Sequence, residues 1–317
     1  MTRVVTLTFN PAIDQTVTLP HLVPGEVHRA TSVLQNAGGK GVNVASCLAD
    51  WGIEVSAYGL LGADNAAPFE ALFANKAIAD RFERRPGATR INLKLVDQAG
   101  TTDINMDGAP VDLEQIEAVI AAVMAEAGQD VLVVLAGSVP PGCPPDVYAR
   151  IIARLHGSGA TTILDTSGEP LRAALDADVL PDVVKPNAHE LSEWLGQPVS
   201  TSAEVRQAAA QLHQRGVKLV AISLGEDGAF FLSDEGALTA KLAANEIAST
   251  VGAGDAMVAG IAAALVEGGD LERVARLSTA FAVGKLGLAG PNLPNKHAIE
   301  ALAAKAAIDT NFAGEGQ

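Results

Sequence analysis

Cysteine, aromatic residues and positive charge are all scarce in this chain of 317 residues. The two cysteines, Cys47 and Cys143, lie far apart and form no CxxC pair, so both are read as reduced, buried thiols. Only 4% of residues are aromatic, whereas Ala, Val, Leu and Gly abound, a mix suited to buried parallel strands under closely packed helices. Lys and Arg number 22 against 37 Asp and Glu, a formal net charge of −15. Such a surface repels phosphate backbones and excludes nucleic acid as an expected partner. A phosphorylated small ligand stays compatible, because one or two buried cations outweigh a distant negative field. Long apolar runs are missing too: residues 258–266 fall well short of the ~20 needed to span a bilayer. With no signal-peptide pattern at the start, the expectation is a cytoplasmic protein with no membrane partner. No HExxH set, GxSxG elbow or GxGxxG after the first strand is found, which weighs against zinc hydrolases, α/β-hydrolases and dinucleotide dehydrogenases.

What is present is ample apolar material, 48% of residues, enough for one large α/β core. Residues 4–9 read as a first strand ended by Asn10-Pro11, and 16–19 and 27–34 have β-forming composition around a turn at 20–25. Residues 89–96 alternate polar and apolar, and 101–106 return as a hairpin partner, the mark of a sheet with one polar face. From 131 onward apolar runs of strand length (131–136, 161–165, 183–185 and 219–223) alternate with helix-like stretches such as 146–155 and 203–215. That order implies right-handed βαβ crossovers and a central, mostly parallel sheet. Residues 254–267, 270–286 and 296–307 read as helices, and 311–317 as a frayed end. The expected organisation is a single α/β domain over 1–317, with lid strands inserted from about 14–34 and 89–107.

Ligands in open α/β sheets bind at the carboxyl ends of strands, so motifs there carry the most weight. In Ser249-Thr250-Val251-Gly252-Ala253-Gly254-Asp255, two glycines and a helix start make a cradle for an anion. A carboxylate beside it fits a base that takes a proton from a hydroxyl attacking a bound phosphorus. An ordinary turn with Asp255 as helix cap is the bland alternative. Gly38-Gly39-Lys40-Gly41-Val42-Asn43 opens a second helix and offers a cation and an amide, although Lys40 read by itself is a surface lysine. It is not a Walker A loop, since Gly41 stands where Ser or Thr is required. Asp14, just after the first strand, suits two sugar hydroxyls or a turn. Arg90, Asn92 and Lys94 share one strand face, either a cover over a polar ligand or a solvated side. Asn187 and Glu190, three apart after Lys185-Pro186, suit Mg²⁺ held through water or a capping box. Ser223-Leu224-Gly225-Glu226-Asp227-Gly228 ends a strand with a glycine turn, a candidate nucleotide contact.

Taken in order, the Asn10 to Asp14, Gly38 to Asn43, Lys185-Pro186-Asn187 with Glu190, and Gly252-Ala253-Gly254-Asp255 motifs resemble the phosphofructokinase-B branch of the ribokinase family. The resemblance covers essentially the whole chain. Within that branch, Thr89-Arg90-Ile91-Asn92, Asp103-Ile104-Asn105 and Glu190-Leu191-Ser192-Glu193-Trp194 look most like the kinases of fructose 1-phosphate. The resemblance implies a ribokinase-like fold with a β-sheet lid, ATP and Mg²⁺, room for a monovalent-cation activator, and a homodimer joined through the lids. It implies Asp255 as proton acceptor and Gly252, Ala253 and Gly254 as the amides that stabilise the transferred phosphoryl. Asp14, Gly39, Asn43, Asn92 and Ser138 would hold the sugar, with Lys40 and Arg90 near its existing phosphate. Lys185, Asn187, Ser223, Gly225 and Gly228 would line the ATP site. Tagatose 6-phosphate and fructose 6-phosphate are alternative acceptors, and a non-catalytic phosphosugar sensor is the remote one. Two positions depart from the pattern: Ala136-Gly137-Ser138-Val139-Pro140 stands where relatives read Ser-Gly-Ser-Leu-Pro, and His189 stands at an often basic position.

Overall fold

The computed structural model describes residues 2–244, 250–288 and 290–310, and the end expected to fray, 311–317, lies outside them. In chain order the first strands are β1 (Arg3–Thr8), β2 (Ala12–Thr18), β3 (Ser32–Gly38), β4 (Val55–Gly62), β5 (Ala79–Arg85), β6 (Ile91–Val96) and β7 (Thr101–Ile104). They continue as β8 (Val131–Ala136), β9 (Thr161–Asp165), β10 (Val183–Val184), β11 (Leu219–Ser223), β12 (Ala229–Ser233), β13 (Gly236–Lys241) and β14 (Ala307–Asp309). The helices are α1 (Lys40–Trp51), α2 (Ala67–Asn75), α3 (Leu113–Glu126), α4 (Val147–Ser158) and α5 (Gly168–Asp176). After them come α6 (Ala188–Leu195), α7 (Ser202–Gln214), α8 (Ala253–Val266), α9 (Leu271–Leu286) and α10 (Lys296–Lys305).

Among the described residues the main sheet has ten strands, ordered β14-β13-β12-β11-β10-β9-β8-β1-β4-β5. The seven from β11 to β5 run parallel, and β12, β13 and β14 add an antiparallel edge. The inner strands are buried on both faces, which is why β8 is apolar throughout, whereas β5 at the sheet's edge is largely charged and buries only Phe82. Successive residues simply point to opposite layers. In β8, Leu132, Val134 and Ala136 join the core with α1, α8 and α9, while Val131, Val133 and Leu135 join the one with α3, α4 and α7. The small residues of α8 let it lie between neighbours: a Cβ on Gly260 would stand 2.5 Å from Ser278 Cα on α9.

The second sheet has the order β3-β2-β6-β7 and lies apart from the first in its pairing. Its boundaries correct the sequence reading. Where composition predicts a strand over 27–34, β3 runs from Ser32 to Gly38, and Val27 is exposed. The polar Gln35 and Asn36 look like an interruption, yet they pair in register with Gln15 and Asp14, and Gln35 Nε2 donates to Gln15 Oε1 at 2.7 Å. Cross-strand pairing satisfies them where apolar burial does not. Asp14 therefore sits within β2, not in a turn after β1. The antiparallel hairpin β12–β13 is announced by no motif, and the last helix stops at Lys305, two residues before its expected end, with β14 following.

Candidate active site

Asp255 is the third residue of α8, 8% exposed, and lies behind the turn Thr250-Val251-Gly252. Gly252 takes φ 80°, which strains any other residue. A Cβ there would stand 3.5 Å from Lys285 Cε and 3.8 Å from both Asn43 Nδ2 and Asp255 Oδ2, inside the space where these groups converge. At this helix start the Ala253 N–H reaches the Thr250 carbonyl only at 3.5 Å, and the N–H groups of Gly254 and Asp255 lie where a helix offers no acceptor one turn back. They present the positive end of the helix dipole to whatever binds there.

Two other elements bring their side chains to the same point. Asn43 of α1 donates Nδ2 to Asp255 Oδ2 at 2.7 Å. Asp165, the last residue of β9 and 1% exposed, stands between two lysines: Lys40 Nζ is 3.1 Å and Lys185 Nζ 3.4 Å from its Oδ1. Burial pushes the Asp255 carboxyl up, the Asp165 charge adds to the push, and the result is a value of about 6 despite Lys40, Asn43 and Lys185. Burial alone would raise Asp165 as well, but Lys185 and Lys40 hold it below the usual carboxylate range. Lys40 is desolvated, yet Asp165 and Asp255 keep it protonated far above neutrality. One carboxylate is thus fixed as an anion while its neighbour stays basic enough to accept a proton near pH 6, the separation that acid–base chemistry requires.

The turn is also a wall between two cavities. Thr250 lines both. On one side a cavity of about 790 Å³ is lined by Ser223, Gly225, Gly228, Ala253 and Gly254, with Met257, Ala282, Val283 and Leu286 as an apolar floor. On the other, a cavity of about 280 Å³ is lined by Asp14, Asn36, Asn43, Gly252 and Lys285, with Lys94 and Asp103 of the small sheet closing over it. A large half-apolar chamber and a small polar one, meeting at an anion cradle with a buried base, can hold two reactants on either side of a group that passes between them.

Most residues expected from the sequence converge here. Asp14 accepts a bond from Asn92 Nδ2 at 3.2 Å, and burial raises its carboxyl while Lys94 pulls it down. Gly39 caps α1, and Ser138 Oγ accepts from Asn10 Nδ2 at 3.2 Å. Lys185 Nζ approaches to 3.8 Å of where a Cβ on Gly254 would stand. Asn187 and Glu190 form a capping box on α6, each side chain accepting the other's backbone N–H at 2.8 Å. Lys40 lies on Asp165 and also faces Asp255, and Arg90 donates to the carbonyls of Pro11, Met106 and Asn10 while its charge acts on Asp14; neither side chain lines the smaller cavity. His189 is largely exposed, with Nε2 3.3 Å from Glu193. Sequence reading passed over Asp165 and Lys285. Both were detectable: Asp165 ends a core strand, and Lys285 falls at helical spacing from the buried Leu277 and Phe281.

Residues 7–298 match the family model described as pfkB family carbohydrate kinase. The chain is 48% identical over 289 residues to the 1-phosphofructokinase of Xanthomonas campestris, covering 90% of this chain and 91% of that one. It is 45% identical over 313 residues to the 1-phosphofructokinase of Rhodobacter capsulatus, covering 97% and 98%. In structure it is similar to phosphofructokinase-2 from Escherichia coli solved in complex with potassium, with TM-score 0.89, 28% identity, and coverage of 96% and 99%.

Proposed function

From the premise that the chain belongs to the pfkB family of carbohydrate kinases, we propose that it transfers the terminal phosphoryl group of ATP to fructose 1-phosphate, giving fructose 1,6-bisphosphate and ADP. The observation that carries this reading is the Gly252 turn dividing a large cavity from a small polar one, with Asp255 buried beneath it. ATP occupies the larger cavity, its polyphosphate toward Gly254 and Lys185. The sugar occupies the smaller one, its hydroxyls on Asp14 and Asn43. Asp255 accepts the proton of the attacking hydroxyl as its oxygen bonds to the γ-phosphorus and the bond to the ADP oxygen breaks. The amides of Ala253, Gly254 and Asp255 stabilise the charge on the migrating group. Gly39, Asn92 and Ser138 support the sugar end, while Asn187, Ser223, Gly225 and Gly228 support the nucleotide.

Mg²⁺, when bound, neutralises polyphosphate charge during such a transfer. The residues fit it: Glu190 keeps Oε1 outside its capping bond, and among the described residues Asp165 Oδ2 is a buried acceptor without a hydrogen-bond donor. Asn187 and Glu190 would hold the ion through water. One neighbour was solved in complex with potassium, which supports a monovalent cation near such a site, and in this chain a lysine of its own stands beside the turn. Exposed apolar residues on the small sheet support a homodimer through that sheet acting as a lid. No helix among the described residues is long and apolar enough to cross a membrane.

Coupled ADP release with fructose 1-phosphate, fructose 6-phosphate and tagatose 6-phosphate tests the assignment. The highest kcat/KM belongs to fructose 1-phosphate. A preference for either 6-phosphate would reassign the acceptor, and binding without ADP release would make the chain a sensor.

A further inference from the structure

Lys285 is a buried lysine that the transfer chemistry above leaves without a task. It is 3% exposed, on the inner face of α9 one residue from the helix end. Its Nζ donates to the Leu288 carbonyl at 2.9 Å. The Cε stands 3.5 Å from where a Cβ on Gly252 would be, and the side chain lines the smaller cavity with Asp14, Asn43 and Gly252. A desolvated ammonium persists only where dipoles or anions replace its water. Here the α9 carboxyl terminus and the Leu288 oxygen supply the dipoles, and Asp255 across the turn supplies the anion. Burial works the other way and lowers its pKa.

The surroundings say what such a charge is for. Among the described residues, the carboxylates and cations that face this point are Asp255 on α8, Asp165 on β9, Lys40 on α1, Lys185 after β10, and Asp14, Lys94 and Asp103 on the small sheet. Cys47 on α1 also faces Lys285, but burial pushes its thiol up to about 12, so it contributes no charge near neutrality. Lys40 and Lys185 are tied to Asp165, and Lys94 Nζ is 3.2 Å from Asp103. Among the described residues the acceptor of the Lys285 ammonium is a carbonyl and not a carboxylate, so its positive charge acts on the turn and on Asp255.

We propose that Lys285 is a positioning residue for phosphoryl transfer: a built-in ammonium that holds the Gly252 turn and Asp255 in their working state, supplying the positive charge an added monovalent cation would otherwise bring. The proposal rests on the kinase reading above. It makes turnover independent of external monovalent cations, and it makes the charge of residue 285 matter more than its shape.

The test measures fructose 1-phosphate-dependent ADP release at saturating ATP and Mg²⁺ in tetramethylammonium chloride, KCl or NH₄Cl at equal ionic strength. Native protein is expected to turn over equally in all three. Lys285→Met, which keeps length and bulk, is expected to lower kcat by about tenfold or more in tetramethylammonium chloride. Its KM for ATP stays near native, NH₄⁺ or K⁺ restores part of the rate, and the acid limb of kcat/KM moves to higher pH because Asp255 loses a facing cation. Lys285→Arg retains more activity than Lys285→Met. A Lys285→Met enzyme with native kcat and an unmoved acid limb overturns the proposal. So does a native enzyme that stops when K⁺ is withdrawn, a measurement that decides even if the variants fail to fold. Native protein that releases no ADP in any salt overturns the kinase reading itself, and this proposal with it.

Discussion

Keeping Asp255 ionised in the interior costs folding free energy. Its ordinary value is 3.8, and burial plus Asp165 raise it to about 6 in the folded chain. Between those values the folded state binds more protons than the unfolded one, so stability falls as pH rises through the window and stays reduced above it. A shift of this size corresponds to at most roughly 3 kcal/mol. Asp255→Asn removes both the charge and the proton acceptor. The expected result is a kcat lower by ~10²–10⁴, together with a higher Tm at pH 8 whose margin shrinks toward pH 5. Calorimetry across pH beside the coupled assay reads both, and near-native turnover in this variant would end the role given to Asp255. In the native enzyme kcat/KM should fall as pH drops through about 6, as the carboxyl takes up its proton. A limb near the ordinary carboxylate value would contradict the burial argument. Legibility at this scale follows how local the chemistry is. Asp255 declares itself because its glycines and helix start are its immediate neighbours in sequence. Asp165 does not: its meaning comes from Lys40, 125 residues away, and from Lys185, and a carboxylate at a strand end looks like any other until the fold assembles them.

At the scale of elements, α6 shows two readings of one motif existing together. Asn187 and Glu190 form a capping box, which alone explains their spacing. The box uses Glu190 Oε2, and the charge and Oε1 are left for water-mediated contact with Mg²⁺. Gln serves a capping box as well as Glu, so Glu190→Gln separates the roles. Its Tm should stay native while the Mg²⁺ concentration for half-maximal rate rises by about tenfold. Glu190→Ala should lose the cap too, about 1 kcal/mol of stability. An unchanged Mg²⁺ requirement in Glu190→Gln would leave only the cap. Of the parallel strands, β1, β8, β9, β10 and β11 were legible as largely apolar runs, whereas β4, with Ser56 and two glycines, and the charged edge strand β5 were not. The small sheet was legible only in part. β6 alternates cleanly, but β3 carries Gln35 and Asn36 through its centre, and its register comes from pairing with β2, which no local pattern encodes.

The molecule as a whole has a ribokinase-like fold with a second sheet that cannot bury itself. Val27, Val33, Leu34, Ile104 and Met106 are five of the six large hydrophobics exposed among the described residues, and all lie on β3, on β7 or just beside them. A four-stranded sheet with such edges is short of apolar cover. The second copy of the chain proposed as partner would supply it. Each copy carries a formal charge of −15, so long-range repulsion opposes pairing and salt should strengthen it by screening. Light scattering should therefore give twice the chain mass, with the dimer tighter in high salt. Val33→Asp, a change at an exposed position, should leave Tm near native while yielding the single-chain mass. Leu34 also lines the smaller cavity with Asp14 and Asn43, so loss of the dimer should raise KM for the phosphosugar more than KM for ATP. A native protein that scatters as one chain under assay conditions would refute the pairing. A Val33→Asp dimer with unchanged phosphosugar KM would move the interface away from the small sheet.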